Sequence, residues 1–382
     1  MRASSLLHPP LIRSPVRLFR NWCRVTSMER LTKSQHFPPE AIADLSKSSA
    51  SGFMKLVETL EKREFALVLG AGVSNSAGLP AWTTLLYKIC SAFFYHWEWE
   101  LQHGQTSTHK PPQNLSIAFA NEIFWSKDSV RKAEAFITGD PLLVAQQIKN
   151  CIRPADWKWL LRRALYDIDD LVQHDGSPSE LIKMISSLCA IKAGRIRAVI
   201  SYNYDDLLEL CLKADRVPYK PIYAKPIRNT AALPIFHPHG YLPIHGGPAE
   251  STFVLSEDDY VQNASQPFSW SNLVQLETFA QYPCIFIGAS MKDTALRRLL
   301  RLSRTTHAQA HFAFLPASEP MTQQSEMFDA LFDHDLKTLG VYDVRYRVSE
   351  APKDRHERLL KLIELAITCS CDRKKIWDIR KA

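Results

Sequence analysis

A short apolar run enters a glycine-rich turn early in the chain, and this junction constrains the fold more than any other feature. Residues 65–69 read Phe-Ala-Leu-Val-Leu, and residues 70–86 read GAGVSNSAGLPAWTTLL. A buried strand that passes through glycines into a helix lets backbone N–H groups and the positive end of the helix dipole approach a phosphate. The dinucleotide fingerprint GxGxxG is not met, because position 75 is asparagine and Gly78 comes three residues late. The segment alone predicts a strand–turn–helix unit, either a phosphate or pyrophosphate site or a tight turn without a ligand.

Short apolar runs typical of strands recur between helical patterns. They lie at residues 65–69, 197–201, 234–237, 252–255, 283–287, 311–315 and 341–346. This alternation predicts an α/β, Rossmann-like doubly wound fold with a mainly parallel sheet and helices on both faces. Residues 83–195 contain no convincing strand and have helical spacing, so we expect a helical insertion or cap there.

Three segments are expected along the chain. Residues 1–40 are predicted to be a flexible segment or the product of a mis-set translation start, although their arginines and serines also resemble an organelle transit peptide. Residues 41–350 are predicted to form the main domain, with the helical insertion at about 83–195. Residues 351–382 are expected to form an amphipathic helix and a basic tail.

Charge and cysteine usage exclude several classes of protein. The net charge is +7, but five arginines and no acid fall in the first 28 residues, so the rest of the chain carries about +2. Direct nucleic-acid binding is therefore not expected, and no apolar run is long enough to span a membrane. The eight cysteines form no CxxC pair, which predicts no structural zinc and a reducing, cytoplasmic location. Cys90 and Cys284 are expected to pack in the core.

Polar residues follow the second strand-like run. The sequence after that run is Ser201-Tyr-Asn-Tyr-Asp-Asp-Leu-Leu-Glu209. Since ligands of open α/β sheets bind at the carboxyl ends of the strands, Asn203 and Asp205 are candidates for the site. The competing interpretation is that Asn203 only caps the next helix.

Two further strand-like runs end in motifs of the same kind. The first enters Phe236-His-Pro-His-Gly240, in which His239 precedes a glycine and could accept a proton near neutral pH, while His237 is expected to be structural. His237, His239 and His245 could alternatively bind a metal, but no cysteine or carboxylate has the supporting spacing. The second enters Gly288-Ala-Ser-Met-Lys-Asp293, which could also be a simple capped turn.

Taken in order, these four segments resemble the sirtuin-like family of NAD-consuming enzymes. The motif around Asn203 is similar to the T-x-N-Y-D-x-L-L-E form of sirtuin-like NAD hydrolases, with Ser201 in place of threonine. The resemblance implies that Asn203 binds the nicotinamide ribose or positions water, that Asp205 orients this site and that His239 is the general base. It implies that residues 41–350 are a sirtuin-like, NAD-binding catalytic domain, in which two further groups contact NAD. These are Gly70, Ala71, Gly72, Ser74, Leu79, Pro80 and Trp82 of the glycine loop, and Gly288, Ser290 and Asp293.

Two departures distinguish this chain from protein-deacylating sirtuins. It lacks their two CxxC pairs, and it has Pro80-Ala-Trp82 where they have P-D-F-R. The pattern resembles the zinc-less bacterial anti-phage branch, which implies NAD hydrolysis as a defence effector, with NAD as substrate and no metal. Since an unregulated NADase would kill its host, we expect a homo-oligomer or a partner such as a HerA-type ATPase. The alternatives are a catalytically silent NAD or ADP-ribose sensor or scaffold, and an NAD-dependent deacylase or ADP-ribosyltransferase.

Overall fold

In the part of the chain that the structure describes, seven parallel strands form one sheet. The computed structural model describes residues 45–113, 140–166, 179–224, 231–245, 252–305, 309–348 and 357–371, with a few positions between 115 and 137. The strands are β1 (Phe65–Leu69), β2 (Ile196–Ser201), β3 (Tyr219–Ile222), β4 (Leu233–Phe236), β5 (Cys284–Ile287), β6 (His311–Pro316) and β7 (Val341–Tyr346).

The helices alternate with these strands. They are α1 (Lys47–Lys62), α2 (Ala71–Asn75), α3 (Trp82–Gln102), α4 (Pro141–Cys151), α5 (Pro154–Leu165), α6 (Glu180–Ile191), α7 (Leu207–Ala214), α8 (Glu257–Ser265), α9 (Trp270–Gln281), α10 (Thr294–Arg304), α11 (Gln323–Thr338) and α12 (Glu357–Cys371).

The strand order is β3-β4-β2-β1-β5-β6-β7, and every neighbouring pair is parallel. Without β3, this is the 3-2-1-4-5-6 order of a doubly wound dinucleotide-binding sheet. The order reverses at β1, whose neighbours are β2 on one side and β5 on the other. A crevice therefore opens at the carboxyl ends of these strands, which is where such sheets bind ligands. The Rossmann-like α/β prediction is confirmed.

Both faces of the sheet are buried, as the first strand illustrates. Phe65, Leu67 and Leu69 point into one core cluster, and Ala66 and Val68 point into the other. Side chains alternate along a strand, so a strand that is apolar at every position must be covered on both sides. Helices α1 to α7 and α12 contribute to the first cluster, and α9, α10 and α11 contribute to the second.

The helical prediction for residues 83–195 holds in the described part of that range, which contains α3, α4, α5 and α6. Helix α3 packs against α4 and α5, whereas α6 contacts α7 and α12 and covers the sheet. The insertion proper is therefore α3 to α5. The helix predicted around residues 118–124 lies outside the described residues. None of the described helices is both long and apolar enough to cross a bilayer.

Two strand assignments from the sequence are corrected. The strand predicted at residues 252–255 is wrong: these residues form no ladder, and the Val254 N–H instead donates to the His239 carbonyl at 2.9 Å. Strand β3, an edge strand that contains Pro221, was not predicted from the sequence. Proline cannot donate a hydrogen bond to a β-ladder, although an edge strand tolerates it. A segment that contains proline is therefore not readily predicted as a strand.

The helix expected within residues 351–382 is described at Glu357–Cys371, and it packs against α1 and α6. Helix α1 was not predicted. Its side chains Phe53, Leu56 and Leu60 join the same core cluster as α12. Cys90 and Cys284 are fully buried, as predicted.

Candidate functional site

The four motifs lie at the carboxyl ends of four adjacent strands. In sheet order β4, β2, β1 and β5 are neighbours, and they are followed by His239, Asn203, Gly70 and Gly288 respectively. Segments that are far apart in the sequence therefore converge on the crevice at the reversal point of the sheet.

The glycines allow the turns after β1 and β5 to touch. A Cβ on Gly70 would lie 2.5 Å from the Gly288 oxygen and 2.6 Å from the Ala289 Cα, and a Cβ on Gly72 would lie 2.9 Å from the Gly288 Cα. Since every nearest atom is backbone, no side chain can move aside. Gly288 also has a φ of +68°, in the left-handed region that favours glycine.

This contact uses two of the N–H groups expected to bind a pyrophosphate. The Gly70 N–H donates to the Ile287 carbonyl at 3.0 Å, and the Gly72 N–H donates to the Gly288 carbonyl at 2.9 Å. The Ala71 N–H makes no hydrogen bond to the residues that the structure describes. The loop is thus first a rigid wall of the crevice, with Ala71 as its available donor.

A short hydrogen bond joins the glycine loop to the turn after β2. The Ser74 hydroxyl donates to Asp205 Oδ2 at 2.5 Å, and Asp205 Oδ1 accepts the Leu207 N–H at 3.1 Å. Burial raises the pKa of the Asp205 carboxyl, although these two hydrogen bonds oppose the shift. Both carboxylate oxygens are therefore engaged, and Asp205 joins the glycine loop to the first residue of α7.

Asn203 faces the same loop. Its Nδ2 donates to the Gly70 carbonyl at 3.0 Å. Because that carbonyl can only accept, the amide must present its NH2 there, which leaves Oδ1 as the remaining acceptor. Oδ1 makes no hydrogen bond to any residue in the described part of the chain. Asn203 is therefore not the helix cap of the competing interpretation, and Asp206 occupies that position.

His239 lies between two aromatic rings. Its ring centroid is 4.8 Å from that of Tyr202 and 6.0 Å from that of Tyr260. Burial lowers the pKa of His239, and the negative charge of Asp293 only partly opposes this shift. The imidazole is thus neutral at neutral pH and can accept a proton. Neither ring nitrogen bonds to a residue that the structure describes.

Residues 197–335 match the family model of the SIR2-like domain. Just over a third of the chain is thus similar to a SIR2-like domain. The match runs from β2 into α11 and includes Asn203, His239 and Ser290, whereas the glycine loop precedes it. The sirtuin-like resemblance is therefore confirmed. SIR2-like domains bind NAD and are usually NAD-dependent enzymes. A comparison of the chain with curated proteins gave no match.

The remaining candidate residues lie around the crevice turns in different environments. Leu79 is only 1% exposed, so its side chain belongs to the core. Pro80 and Trp82 are half-buried at the start of α3, and Trp82 Nε1 is buried without a partner among the described residues. Ser290 is exposed, while Asp293 Oδ1 accepts the Leu296 N–H at 2.8 Å and caps α10.

Residues of the helical insertion donate hydrogen bonds to the loop that follows His239. These contacts were not predicted from the sequence. The Tyr166 hydroxyl donates to the Leu242 carbonyl at 2.6 Å, and an Arg162 guanidinium N–H donates to the Pro243 and Ile244 carbonyls. These contacts join positions about 80 residues apart, so no local sequence pattern predicts them.

A second connection of the insertion supports the wall beside His239. Lys149 of α4 forms an ion pair with Asp259 of α8 at 2.6 Å, and the Asp258 N–H donates to Gln146 Oε1 at 3.1 Å. The same helix α8 presents Tyr260 to His239. Helices α4 and α5 therefore position two segments around the histidine.

The alternative of a histidine metal site gains no support. No group of three or more potential metal ligands occurs among the described residues. His237 instead hydrogen-bonds to Glu209 Oε1 at 2.7 Å.

Proposed function

We propose that this SIR2-like protein cleaves the bond between nicotinamide and ribose in NAD, releasing nicotinamide and ADP-ribose. The observation that supports it is the pairing of Asn203 and His239 at the ends of the adjacent strands β2 and β4. Asn203 offers an amide oxygen as a hydrogen-bond acceptor, and His239 offers a neutral imidazole. These are the two functions needed to bind a ribose or a water and to remove a proton.

The proposed reaction is a hydrolysis with simple atom balance. The glycosidic C–N bond breaks through an oxocarbenium-like state, and its electron pair leaves with nicotinamide, which becomes neutral. The oxygen of a water forms the new bond to the ribose carbon. Asn203 Oδ1 holds this water or a ribose hydroxyl, and His239 accepts the proton.

The polar groups around Asn203 and His239 are fixed before substrate arrives. The Ser74–Asp205 and Asn203–Gly70 hydrogen bonds lock the first wall of the crevice, and Tyr202 and Tyr260 flank the base. Preorganised groups in a water-poor site stabilise developing charge without further reorganisation. In this assignment, the Ala71 N–H faces the phosphates, and Ser290 and Asp293 lie on the adenosine side.

The direct test is nicotinamide release by purified Asn203→Ala and His239→Ala. We expect each to lose about 100-fold or more in rate while folding normally. His334→Ala, at an exposed histidine of α11, is the matched control and should retain the parental rate. Parental turnover by Asn203→Ala would refute the assignment, and an inactive parental protein would refute the function.

The same assay separates the competing functions. A sensor or scaffold would bind NAD or ADP-ribose without releasing nicotinamide. A deacylase would need an acyl-lysine peptide for turnover, and an ADP-ribosyltransferase would leave ADP-ribose on an acceptor. Stoichiometric free ADP-ribose from NAD alone supports hydrolysis.

We further propose that the activity serves anti-phage defence in the cytoplasm by depleting NAD, under control of homo-oligomerisation or a partner such as a HerA-type ATPase. The support is the motif resemblance and the requirement that a NADase be controlled. Nicotinamide release measured over a range of protein concentrations, beside the oligomer mass, tests assembly control. Activity proportional to protein concentration would count against it.

A further inference from the structure

A buried acid and a buried base form a pair directly behind Asn203. Glu209 closes the motif that begins at Ser201, and its side chain is 4% exposed. Its Oε1 lies 2.7 Å from Nε2 of His237, whose side chain is fully buried. Neither residue has a role in the reaction described above, yet burying two ionisable groups is costly unless they are paired.

The other ring nitrogen of His237 contacts the backbone of Asn203. Nδ1 lies 3.1 Å from the Asn203 carbonyl oxygen. A carbonyl and an ionised carboxylate can only accept, whereas a neutral imidazole has one N–H to donate. With Glu209 ionised, satisfying both partners therefore requires the doubly protonated ring.

The surroundings of His237 agree with a charged ring. Burial alone would lower its pKa, but the charge and hydrogen bond of Glu209, the Asn203 carbonyl and Asp205 together raise it above the ordinary value. The ionisable groups that face the ring are Glu209 from α7, Asp205 from the turn after β2 and Tyr241 from the following loop, whose ring centroid is 4.5 Å away.

Asn203 is thus held from two sides. Its carbonyl accepts from His237 behind it, and its Nδ2 donates to the Gly70 carbonyl in front of it. With the backbone and the NH2 group fixed, the direction of Oδ1 is also fixed. A displacement of about 1 Å in a reacting group can cost about 100-fold in rate, so this support matters for catalysis.

We propose that Glu209 and His237 are positioning residues, a charged pair that holds Asn203 so that its Oδ1 faces the substrate. The inference rests on the proposed function and deepens it. The pair acts as long as His237 is doubly protonated. When pH rises through the pKa of His237, the ring loses one N–H and releases either Glu209 or Asn203. Nicotinamide release should therefore decline on the alkaline side.

The test is Glu209→Gln, which keeps an acceptor oxygen of the same shape and removes the charge. We expect kcat to fall about tenfold, with KM changed less than about twofold, and the alkaline limb of the pH profile to move to lower pH. Asp215→Asn is the matched control, because Asp215 caps the same helix α7 and contacts Ser186 rather than His237. It should keep the parental rate and profile.

A second readout does not depend on activity, and its first part needs only the parental protein. Nitrogen NMR of histidine-labelled parental protein at pH 7 should show protons on both ring nitrogens of His237, and in Glu209→Gln its pKa should fall. A neutral His237 ring in the parental protein overturns the inference. So does a Glu209→Gln protein that matches the parent in rate and pH profile while the parent is active. An inactive parental protein refutes the proposed function instead, and the inference falls with it.

Discussion

Gly288→Ala tests the contact between the turns after β1 and β5. The new Cβ would lie 2.5 Å from the Val73 backbone nitrogen and 3.0 Å from the Gly72 carbonyl carbon. Ordinary van der Waals contact begins near 3.4 Å, so the turns must separate by nearly 1 Å. The hydrogen bond from the Gly72 N–H to the Gly288 carbonyl would stretch with them.

Two costs add in this variant. A non-glycine residue in the left-handed region costs about 1–2 kcal/mol, and part of this is offset because alanine reduces the freedom of the unfolded chain. Overpacking adds about 1–3 kcal/mol. We therefore expect Gly288→Ala to lose about 2–4 kcal/mol of the free energy of unfolding.

Gly104→Ala is the matched control. Gly104 also has a φ of +68°, but nothing lies within 4 Å of its Cβ position. It should lose only about 1 kcal/mol, from the backbone strain alone. Urea unfolding of both variants, with equal slopes, measures the difference. If both unfold at the same urea concentration, the two turns do not pack as described and the reasoning is refuted.

Three further results are expected. First, kcat/KM for nicotinamide release should fall on acidification with a midpoint below 6.5, because burial lowers the pKa of His239; a midpoint above 6.5 would contradict this base. Second, Ser74→Ala removes the donor to buried Asp205 and should cost about 1.5–3 kcal/mol in urea unfolding; an unchanged midpoint would show that the bond is unimportant. Third, Tyr166→Phe leaves the Leu242 carbonyl without its donor. It should cost about 1–3 kcal/mol by thermal unfolding and lower kcat, and parental kcat would argue against this support of the loop.

The parts of the fold that the sequence could predict have local causes. An apolar run followed by Gly70 and Gly72 predicts a strand and a tight turn from a few adjacent residues. Asn203 and His239 could be placed at one edge of the sheet because parallel strands carry their carboxyl ends on the same side. The convergence of the motifs therefore followed from strand direction and needed no knowledge of side-chain packing.

The parts that were missed depend on contacts between distant positions. Glu209 and His237 are 28 residues apart, and Tyr166 and Leu242 are 76 apart, so no spacing rule relates them. Residues 252–255 have the composition of a strand, but the Val254 N–H is taken by the turn after β4. Tertiary hydrogen bonding overrode the local β propensity there.

Arg162 and Tyr166 donate hydrogen bonds to the loop that follows His239. These contacts set a lower limit on the length of chain that a functional domain needs. A truncated version that kept only the seven-stranded sheet and its covering helices would strip the donors from the Leu242, Pro243 and Ile244 carbonyls. It would also remove Lys149 and Gln146 of α4, which bind Asp259 and the Asp258 N–H of α8. The insertion therefore cannot be exchanged between relatives without affecting the site. In a chimera with a foreign insertion, the sheet would still form, but the loop beside His239 would lose its conformation.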